Sequence, residues 1–246
     1  MSLSIRDTIF ALSSGLPPAG IAVVRITGPQ AATALEALAG KLPEPRRAVY
    51  RALHDDRGTL LDHALILWFS GTKTATGENL AELHLHGGRA VVSSVLEALQ
   101  QVPGLRPAVA GEFTRRAFEN GRIDLSEAEG LADLLAAETE SQRQSALTLA
   151  EGGLGRKVEI WQSRLLGLSA HVEAALDFSD EDDVAGDDAM HELRRGLEAL
   201  GRDMARQLAA PRAERLRDGV RLVLAGPPNS GKSTLLNALV GHEAAI

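Results

Sequence analysis

A glycine-rich segment near the end of the sequence has the residue types and spacing that bind phosphate groups. Residues 226–233 match the pattern G-x-x-x-x-G-K-[ST], between an apolar run at 220–225 and a helical pattern at 234–240. Glycines allow backbone N–H groups to surround phosphate oxygens, and the N-terminus of the next helix attracts the same anion. Lys232 can reach the β- and γ-phosphates of a nucleotide, and the Ser233 hydroxyl can bind Mg²⁺. The alternative is a simple glycine turn, but the flanking strand and helix favour nucleotide binding.

A nucleotide-binding domain needs more elements than follow this loop. One strand, one loop and one helix cannot build a covered parallel sheet, and the sequence stops at Ile246. We therefore interpret residues 218–246 as the truncated start of such a domain, and expect its Mg²⁺-binding Asp and base-reading motif downstream. Two D-x-x-G matches, at 55–58 and 183–186, precede the loop and are interpreted as turns.

The composition excludes several classes of protein. The 246 residues suffice for one to two domains, and the absence of Cys excludes disulfide bonds and thiol chemistry. No apolar run reaches membrane-spanning length and the N-terminus is unlike a signal peptide, so we expect a soluble, cytoplasmic protein that binds no membrane. The net charge of −7 is carried by an acidic run at 177–188, which we interpret as a solvated loop between helices, with a Ca²⁺ loop as the less favoured alternative. The remainder is neutral, so charge alone gives no support for nucleic-acid binding.

Residues 1–122 predict an α+β domain. Alternating or buried apolar runs predict the strands, and apolar residues at helical spacing, closed by Gly or Pro, predict the helices. The predicted strands cover 7–13, 21–26, 46–53, 60–69 and 80–86, and the predicted helices cover 28–41, the residues from Gly87-Gly88 to Gln101, and 112–120.

Several charged residues of this first domain are candidates for a binding site. Strict alternation along residues 80–86 places Glu82, His84 and His86 on one face of a strand. The two His residues could bind a metal, but no third ligand is near in sequence, so a polar face beside a ligand or partner is favoured. Arg25 is the one charge in an apolar strand; an exposed Arg on an edge strand and a buried cation that binds something are both open. A second group of cations is interpreted as an exposed cationic face. One acidic ligand or a salt bridge would be enough to explain these residues, which are Arg115, Arg116 and Arg122.

From residue 123 onward the sequence predicts helices only. Ser126 and Glu129 fit a capping box that opens a helix running to Gly152-Gly153. Apolar stripes over 158–176 and 190–208 predict a second and a third long helix, packed side by side with the first. The sequence therefore divides into three parts, at 1–122, 123–217 and 218–246.

Six segments of the first 125 residues form a specific pattern when they are taken together. They are D-T-I at 7–9, I-A-V-V-R-I-T-G at 21–28, T-G-E-N at 76–79, H-G-G at 86–88, G-E-F-T-R-R-A-F at 111–118 and N-G-R-I-D-L at 120–125. In order and spacing they resemble the MnmE family of tRNA-modification GTPases, also called TrmE. The glycine-rich loop lies where the G domain of that family begins.

The resemblance implies a fold and an activity. Members of the family have an N-terminal α+β domain that binds folate and forms a homodimer, a central all-α domain, and a Ras-like G domain inserted into the helical one. With the partner protein MnmG they modify carbon 5 of the tRNA wobble uridine, forming carboxymethylaminomethyl- or aminomethyluridine. A tetrahydrofolate such as 5-formyltetrahydrofolate supplies the one-carbon unit. GTP hydrolysis requires Mg²⁺ and is stimulated by K⁺.

The resemblance also assigns residues. The folate-contacting positions of the family fall on Arg25, Glu82 and Arg122, the last commonly Lys in relatives. Asn229 falls on the K⁺-binding position and Ser233 on the Mg²⁺ ligand. The positions that bind GTP are Asn229, Ser230, Gly231, Lys232, Ser233 and Thr234.

Several parts of the family pattern have no counterpart in these residues. The switch regions, the N-K-x-D motif, the catalytic Glu and the last helices of the family would lie beyond Ile246. We therefore expect no GTPase activity from this chain alone. Two other interpretations stay open, namely a folate-binding dimerisation module and, from the phosphate loop alone, part of an ATPase or kinase.

Overall fold

The computed structural model describes residues 7–177, 187–209 and 223–241. These residues separate into two compact units, Met1–Glu129 and Gly130–Ile246. Most of the acidic run interpreted as a solvated loop lies outside the described residues, as does the D-x-x-G match at 183–186. Each unit is described by itself.

The first unit is built on a six-stranded sheet in the order β3-β4-β5-β2-β1-β6. Neighbouring strands are antiparallel except β1 and β6, which are parallel. The five predicted strands are confirmed, with ends shifted by up to three residues. The strands are β1 (Thr8–Leu12), β2 (Ile21–Thr27), β3 (Val49–His54), β4 (Leu60–Phe69), β5 (Leu80–His86) and β6 (Leu105–Pro107).

Two helices, α1 (Ala31–Ala39) and α2 (Arg89–Gln101), contribute to one core with the sheet. Because side chains alternate along a strand, every second residue of the central strands faces this core. Full burial of one such aliphatic side chain stabilises the fold by about 1.5–3 kcal/mol. The fully buried residues include Val24, Ile26, Ile66, Leu83, Leu35, Val95 and Leu99.

The sequence analysis missed β6. The strand has three residues, too few to show alternation, and it ends in Pro107, which lacks a backbone N–H. Such a residue is tolerated here because β6 is an edge strand whose register places Leu105 beside Thr8.

The second unit is helical, but its predicted first helix is wrong. The chain between 126 and 152 forms two helices, because Thr139 caps a new one. Its Oγ1 accepts from the backbone N–H of Gln142 at 3.3 Å, and Gln142 Oε1 accepts from the Thr139 N–H at 2.9 Å. This capping box satisfies helix-terminal N–H groups that a continuous helix would not expose. Among the described residues after 120 the helices are α4 (Leu125–Ala136), α5 (Glu140–Ala150), α6 (Gly153–Asp177), α7 (Asp187–Ala209) and α8 (Lys232–Val240).

The start of α4 also differs from the expected capping box at Ser126 and Glu129. Asp124 Oδ1 accepts from the N–H of Glu127 at 2.7 Å, and Glu127 Oε2 accepts from the N–H of Asp124 at 2.7 Å. The same reciprocal geometry is therefore present, two residues earlier in the sequence. Asp serves this position as well as Ser does.

Close backbone approach packs α4 against α5. A Cβ atom added at Gly130 would lie 2.4 Å from the backbone N of Ala150, so a larger residue would push the helices apart. The predicted second and third long helices are confirmed as α6 and α7, and Trp161 Nε1 on α6 donates to Asp203 Oδ2 on α7 at 2.8 Å. No helix among the described residues is long and apolar enough to cross a membrane.

The strand predicted at 220–225 is absent from its described part, residues 223–225. Every described regular element of the second unit is a helix, so this segment has no neighbouring strand with which to form a hydrogen-bond ladder. The helix predicted after the glycine-rich loop is confirmed as α8.

A buried network of charges holds α3 (Glu112–Glu119) against the sheet of the first unit. Arg106 on β6 donates to both carboxylate oxygens of Glu112, at 2.9 and 2.5 Å, and to Asp7 at 3.2 Å. Arg116, whose side chain is 4% exposed, lies 3.5 Å from Glu112 and donates to Glu78 Oε2 at 3.1 Å. These contacts connect an edge strand, a helix and the loop before β5.

We predict that Glu112→Gln destabilises the first unit most at neutral pH. The hydrogen bonds from Arg106 lower the pKa of Glu112 from 4.5 to about 2. A lowered folded-state pKa stabilises the fold above the unfolded-state value, and this contribution is lost as the pH falls from about 4.5 to 2. The difference corresponds to about 3 kcal/mol at pH 7.

Urea unfolding in a Trp161→Phe background tests this prediction, since Trp68 in β4 then reports on the first unit. Glu119→Gln is the matched control on the same helix, because Glu119 is exposed and pairs with the exposed Arg115. Its expected cost is below about 0.5 kcal/mol. Equal losses in both variants would contradict the role of the buried network.

Candidate functional site

The face of the sheet opposite the core carries the charged residues singled out from the sequence. Arg25 on β2 lies directly opposite Glu82 on β5, and Arg25 Nε donates to Glu82 Oε1 at 2.8 Å. The side chains are 42% and 16% exposed, respectively. Because β2 lies between β5 and β1, the interpretation of Arg25 as an edge-strand residue is wrong. It is a partly exposed cation held by a more deeply buried carboxylate.

The two His residues of β5 contact different carboxylates. His84 Nε2 lies 3.3 Å from Glu82 Oε2. His86 Nδ1 lies 2.7 Å from Asp62 Oδ1, and the His86 backbone N–H donates to Asp62 Oδ2 at 2.8 Å. The described residues contain no group of three or more potential ligands that could hold a metal ion. The geometry therefore supports the polar-face interpretation of this strand over a shared metal site.

The loop between β4 and β5 packs over the end of this face. Thr27, one position beyond the core-facing Ile26 on β2, places its hydroxyl 2.6 Å from that of Thr76 in the loop, and both side chains are buried. The Thr27 hydroxyl also donates to the Asn79 carbonyl at 3.1 Å. Since Thr27 and Arg25 are two residues apart on one strand, the loop lies beside the Arg25–Glu82 pair.

The segment after α3 donates hydrogen bonds to the backbone of this loop. Arg122 Nε donates to the Thr74 carbonyl at 3.1 Å, and Asn120 Nδ2 donates to the Thr76 carbonyl at 2.7 Å. Gly77 has a φ of 79°, and a Cβ there would lie 2.7 Å from Asn120 Cβ, so both the backbone and the space favour Gly. The structure thus joins Arg25 and Glu82 directly, and connects Arg122 to the neighbouring loop.

The exposed cationic face predicted for three Arg residues is wrong for Arg116, and the alternative of salt bridges holds for Arg115 and Arg116. Arg115 is exposed and pairs with Glu119, whereas Arg116 is buried between Glu78 and Glu112. Arg122 is exposed and donates to the Thr74 carbonyl in the loop between β4 and β5. Consecutive residues on a helix point about 100° apart, so adjacent Arg residues need not share one surface.

The glycine-rich loop has a compact arrangement before α8. Lys232 begins the helix and its Nζ donates to the Pro227 carbonyl at 2.7 Å, so the ammonium folds back over the loop. Asn229 and Gly231 adopt φ values of 59° and 82°. A Cβ on Gly226 would lie 2.9 Å from Ser230 Oγ, a contact that rotation of the Ser230 side chain relieves.

The first residues of α8 occupy the positions expected for an anion site. Lys232, Ser233 and Thr234 form its first turn, where backbone N–H groups lack partners within the helix. These residues and Asn229, Ser230 and Gly231 fit a phosphate with its counter-ion, because the loop offers N–H donors, an ammonium and hydroxyl groups.

Two family models match almost the whole chain. The model described as GTP-binding protein TrmE N-terminus matches residues 8–122, and the MnmE helical domain model matches residues 125–242. The chain belongs to the MnmE family. Its MnmE-family relatives include proteins named tRNA modification GTPase MnmE from Novosphingobium aromaticivorans, Rhizorhabdus wittichii and Zymomonas mobilis, which are 60%, 64% and 56% identical.

The matches to these MnmE proteins cover 98%, 99% and 97% of this chain, respectively. They cover 57%, 56% and 56% of the relatives. The chain therefore spans a little over half the length of the MnmE relatives it matches.

The partners that position the residues of the candidate site were not predicted from the sequence. Asp62 lies near the start of β4, and its contact with His86 depends on the register between β4 and β5. Glu78 and Arg106 meet α3 only after the chain has folded. The spacing of Glu112 and Arg116, four residues apart in a predicted helix, was the one local signal of this network.

Proposed function

We propose that the chain is part of a GTPase that modifies the wobble uridine of tRNA at carbon 5. The modification is the formation of carboxymethylaminomethyl- or aminomethyluridine, carried out with the partner protein MnmG. Membership of the MnmE family and the names of its relatives support this proposal. In this proposal the first unit binds a tetrahydrofolate that supplies the one-carbon unit, and the glycine-rich loop binds GTP.

The observation that carries the folate proposal is the Arg25–Glu82 ion pair on a partly exposed sheet face. A folate has a pterin ring with N–H donors at one end and a glutamate tail with carboxylates at the other. Ionised Glu82 accepts hydrogen bonds from the pterin donors, while Arg25, which is paired with Glu82, keeps further N–H groups for acceptor atoms at the same end of the ligand. Arg122, in the segment after α3, donates to the loop beside this pair and adds a second cation to the proposed site.

For GTP, the proposed contacts are made by the six residues from Asn229 to Thr234. Lys232 and the first N–H groups of α8 face the phosphates, since a helix N-terminus and an ammonium both attract anions. Ser233 would bind Mg²⁺ through its hydroxyl and Asn229 would bind K⁺ through its side-chain oxygen. In a bound nucleotide complex Lys232 would exchange the Pro227 carbonyl for phosphate oxygens.

A second candidate function is a folate-binding dimerisation module. The open sheet face carries exposed apolar side chains beside the charged ones: Ile21 is 62%, Tyr50 65% and Leu65 38% exposed. Tyr50 and Leu65 lie directly opposite each other on β3 and β4. Such a surface favours a homodimer in which two sheet faces approach each other.

We predict that Arg25→Ala weakens binding of 5-formyltetrahydrofolate by about tenfold or more. The change removes a charged hydrogen-bond donor, worth about 1.5–3 kcal/mol, and leaves Glu82 without its cation. Calorimetry on the 246-residue chain measures the affinity, with Arg57→Ala in the exposed β3–β4 turn as the control. Equal affinity of the wild type and Arg25→Ala would contradict the folate assignment of Arg25.

We predict that the chain is a dimer at micromolar concentration and that Tyr50→Asp with Leu65→Asp makes it a monomer. Two carboxylates placed on the open face would have to be desolvated in the interface. Multi-angle light scattering gives the mass. Leu16→Asp is the control, because Leu16 is 88% exposed but lies in the loop before β2. A wild-type monomer, or a dimer in the double variant, would argue against this surface.

We predict no detectable GTP hydrolysis by this 246-residue chain and weak nucleotide binding at best. Phosphoryl transfer needs a metal held from two sides and a group that positions the attacking water, and these residues supply only Lys232 and Ser233. Phosphate release is measured with Mg²⁺ and K⁺ present. Release that Lys232→Ala abolishes and the exposed Lys157→Ala preserves would show the prediction to be wrong.

A further inference from the structure

We propose that His84 is a positioning residue of the Arg25–Glu82 site, which holds the second oxygen of Glu82 and makes ligand binding depend on its own charge. The inference rests on the proposed folate function of this site. The family resemblance assigns no role to His84.

The contacts of Glu82 support this role. Arg25 Nε binds one carboxylate oxygen at 2.8 Å, and His84 Nε2 lies 3.3 Å from the other. Two residues on different strands therefore fix the plane of one carboxylate, with Arg25 on β2 and His84 on the same strand as Glu82. A carboxylate with both oxygens engaged loses rotational freedom before the ligand arrives, which lowers the entropic cost of binding.

The state of the imidazole follows from its partner. An ionised carboxylate only accepts hydrogen bonds, so the contact with Glu82 requires a proton on His84 Nε2. A neutral His84 must then be the Nε2–H tautomer, with Nδ1 as an acceptor. Protonation adds a full positive charge beside Glu82 without breaking this contact.

Among the described residues of this sheet face, Glu82 is the one carboxylate that His84 contacts. The residues directly opposite His84 are apolar, Val23 on β2 and Leu65 on β4. The other charged or titratable groups on these three strands are Arg25, next to Glu82, and Asp62, His63 and His86 toward the other end of β4 and β5. Asp62 is bound by His86, and His63 stacks on Tyr50 with ring centroids 5.9 Å apart.

The charge of His84 changes the acceptor strength of Glu82. Histidine changes charge between about pH 5 and pH 8. With neutral His84 the group of Arg25, Glu82 and His84 has no net charge, and Glu82 accepts strongly from ring N–H donors. With protonated His84 the group has a net charge of +1, the imidazolium draws electron density from Glu82, and the hydrogen bonds of Glu82 to the ligand weaken. The glutamate tail lies at the far end of a folate, where a screened surface charge has less effect.

The decisive experiment is calorimetry with 5-formyltetrahydrofolate on the 246-residue chain at pH 5.5, 6.5 and 7.5. We expect wild-type affinity to fall about three- to tenfold from pH 7.5 to 5.5. His84→Gln keeps an N–H donor for Glu82 but does not titrate, so its affinity should match the wild type at pH 7.5 and vary less with pH. His84→Leu lacks the donor and should bind more weakly at every pH.

His86→Gln is the matched control, since His86 is on the same strand face but contacts Asp62. It should keep the wild-type pH profile. A wild-type profile in His84→Gln, or wild-type affinity at pH 7.5 in His84→Leu, would overturn the proposal while leaving the folate site intact. Loss of binding in Arg25→Ala shows that the site itself is correct.

A readout without ligand separates this inference from the folate proposal. ¹⁵N NMR at pH 8 distinguishes the two neutral tautomers of each His ring. We expect the Nε2–H tautomer for His84, and a changed tautomer balance after Glu82→Gln. An Nδ1–H tautomer in the wild type would overturn the proposal whether or not the chain binds folate.

Discussion

The antiparallel pairing of β2 with β5 is the interaction on which the first unit depends. Its register places Arg25 opposite Glu82 on one face, and Val24 opposite Leu83 in the core. A shift of one residue would turn Arg25 into the core and expose its apolar neighbours. A charge buried there without a partner would cost several kcal/mol, so the same register protects the core and forms the site.

The buried charges around α3 fix the geometry of the neighbouring loop as well as contributing to stability. Desolvating Arg116 and Glu112 costs free energy, which for Glu112 the hydrogen bonds from Arg106 more than offset. Arg116 Nη2 is buried and makes no hydrogen bond among the described residues, which is consistent with this cost. In return, Glu78 and therefore the loop before β5 are fixed relative to the helix. The loop is thereby held against Thr27, beside the Arg25–Glu82 pair.

The sequence predicted elements whose signals are local. Strict alternation in β5 identified both the strand and the face shared by Glu82 and His84. The break between α4 and α5 had a local signal as well, since Thr139 and Gln142 have the spacing of a capping box, but the predicted helix was continued through it. The environment of Arg25 and the burial of Arg116 depend on strand order and on residues distant in sequence. Neither can be obtained from a single segment.

The parallel contact of β6 with β1 has a consequence for how the chain assembles. Arg106 meets Asp7 across 99 positions of sequence, whereas β3, β4 and β5 pair with immediate neighbours along the chain. Closing so long a loop is entropically expensive and slow, so the local hairpin forms before this edge. During synthesis the first strand must wait until β6 and α3 have left the ribosome. Until then its outer edge is free to pair with another chain, so the pairing of β6 with β1 also removes a route to aggregation.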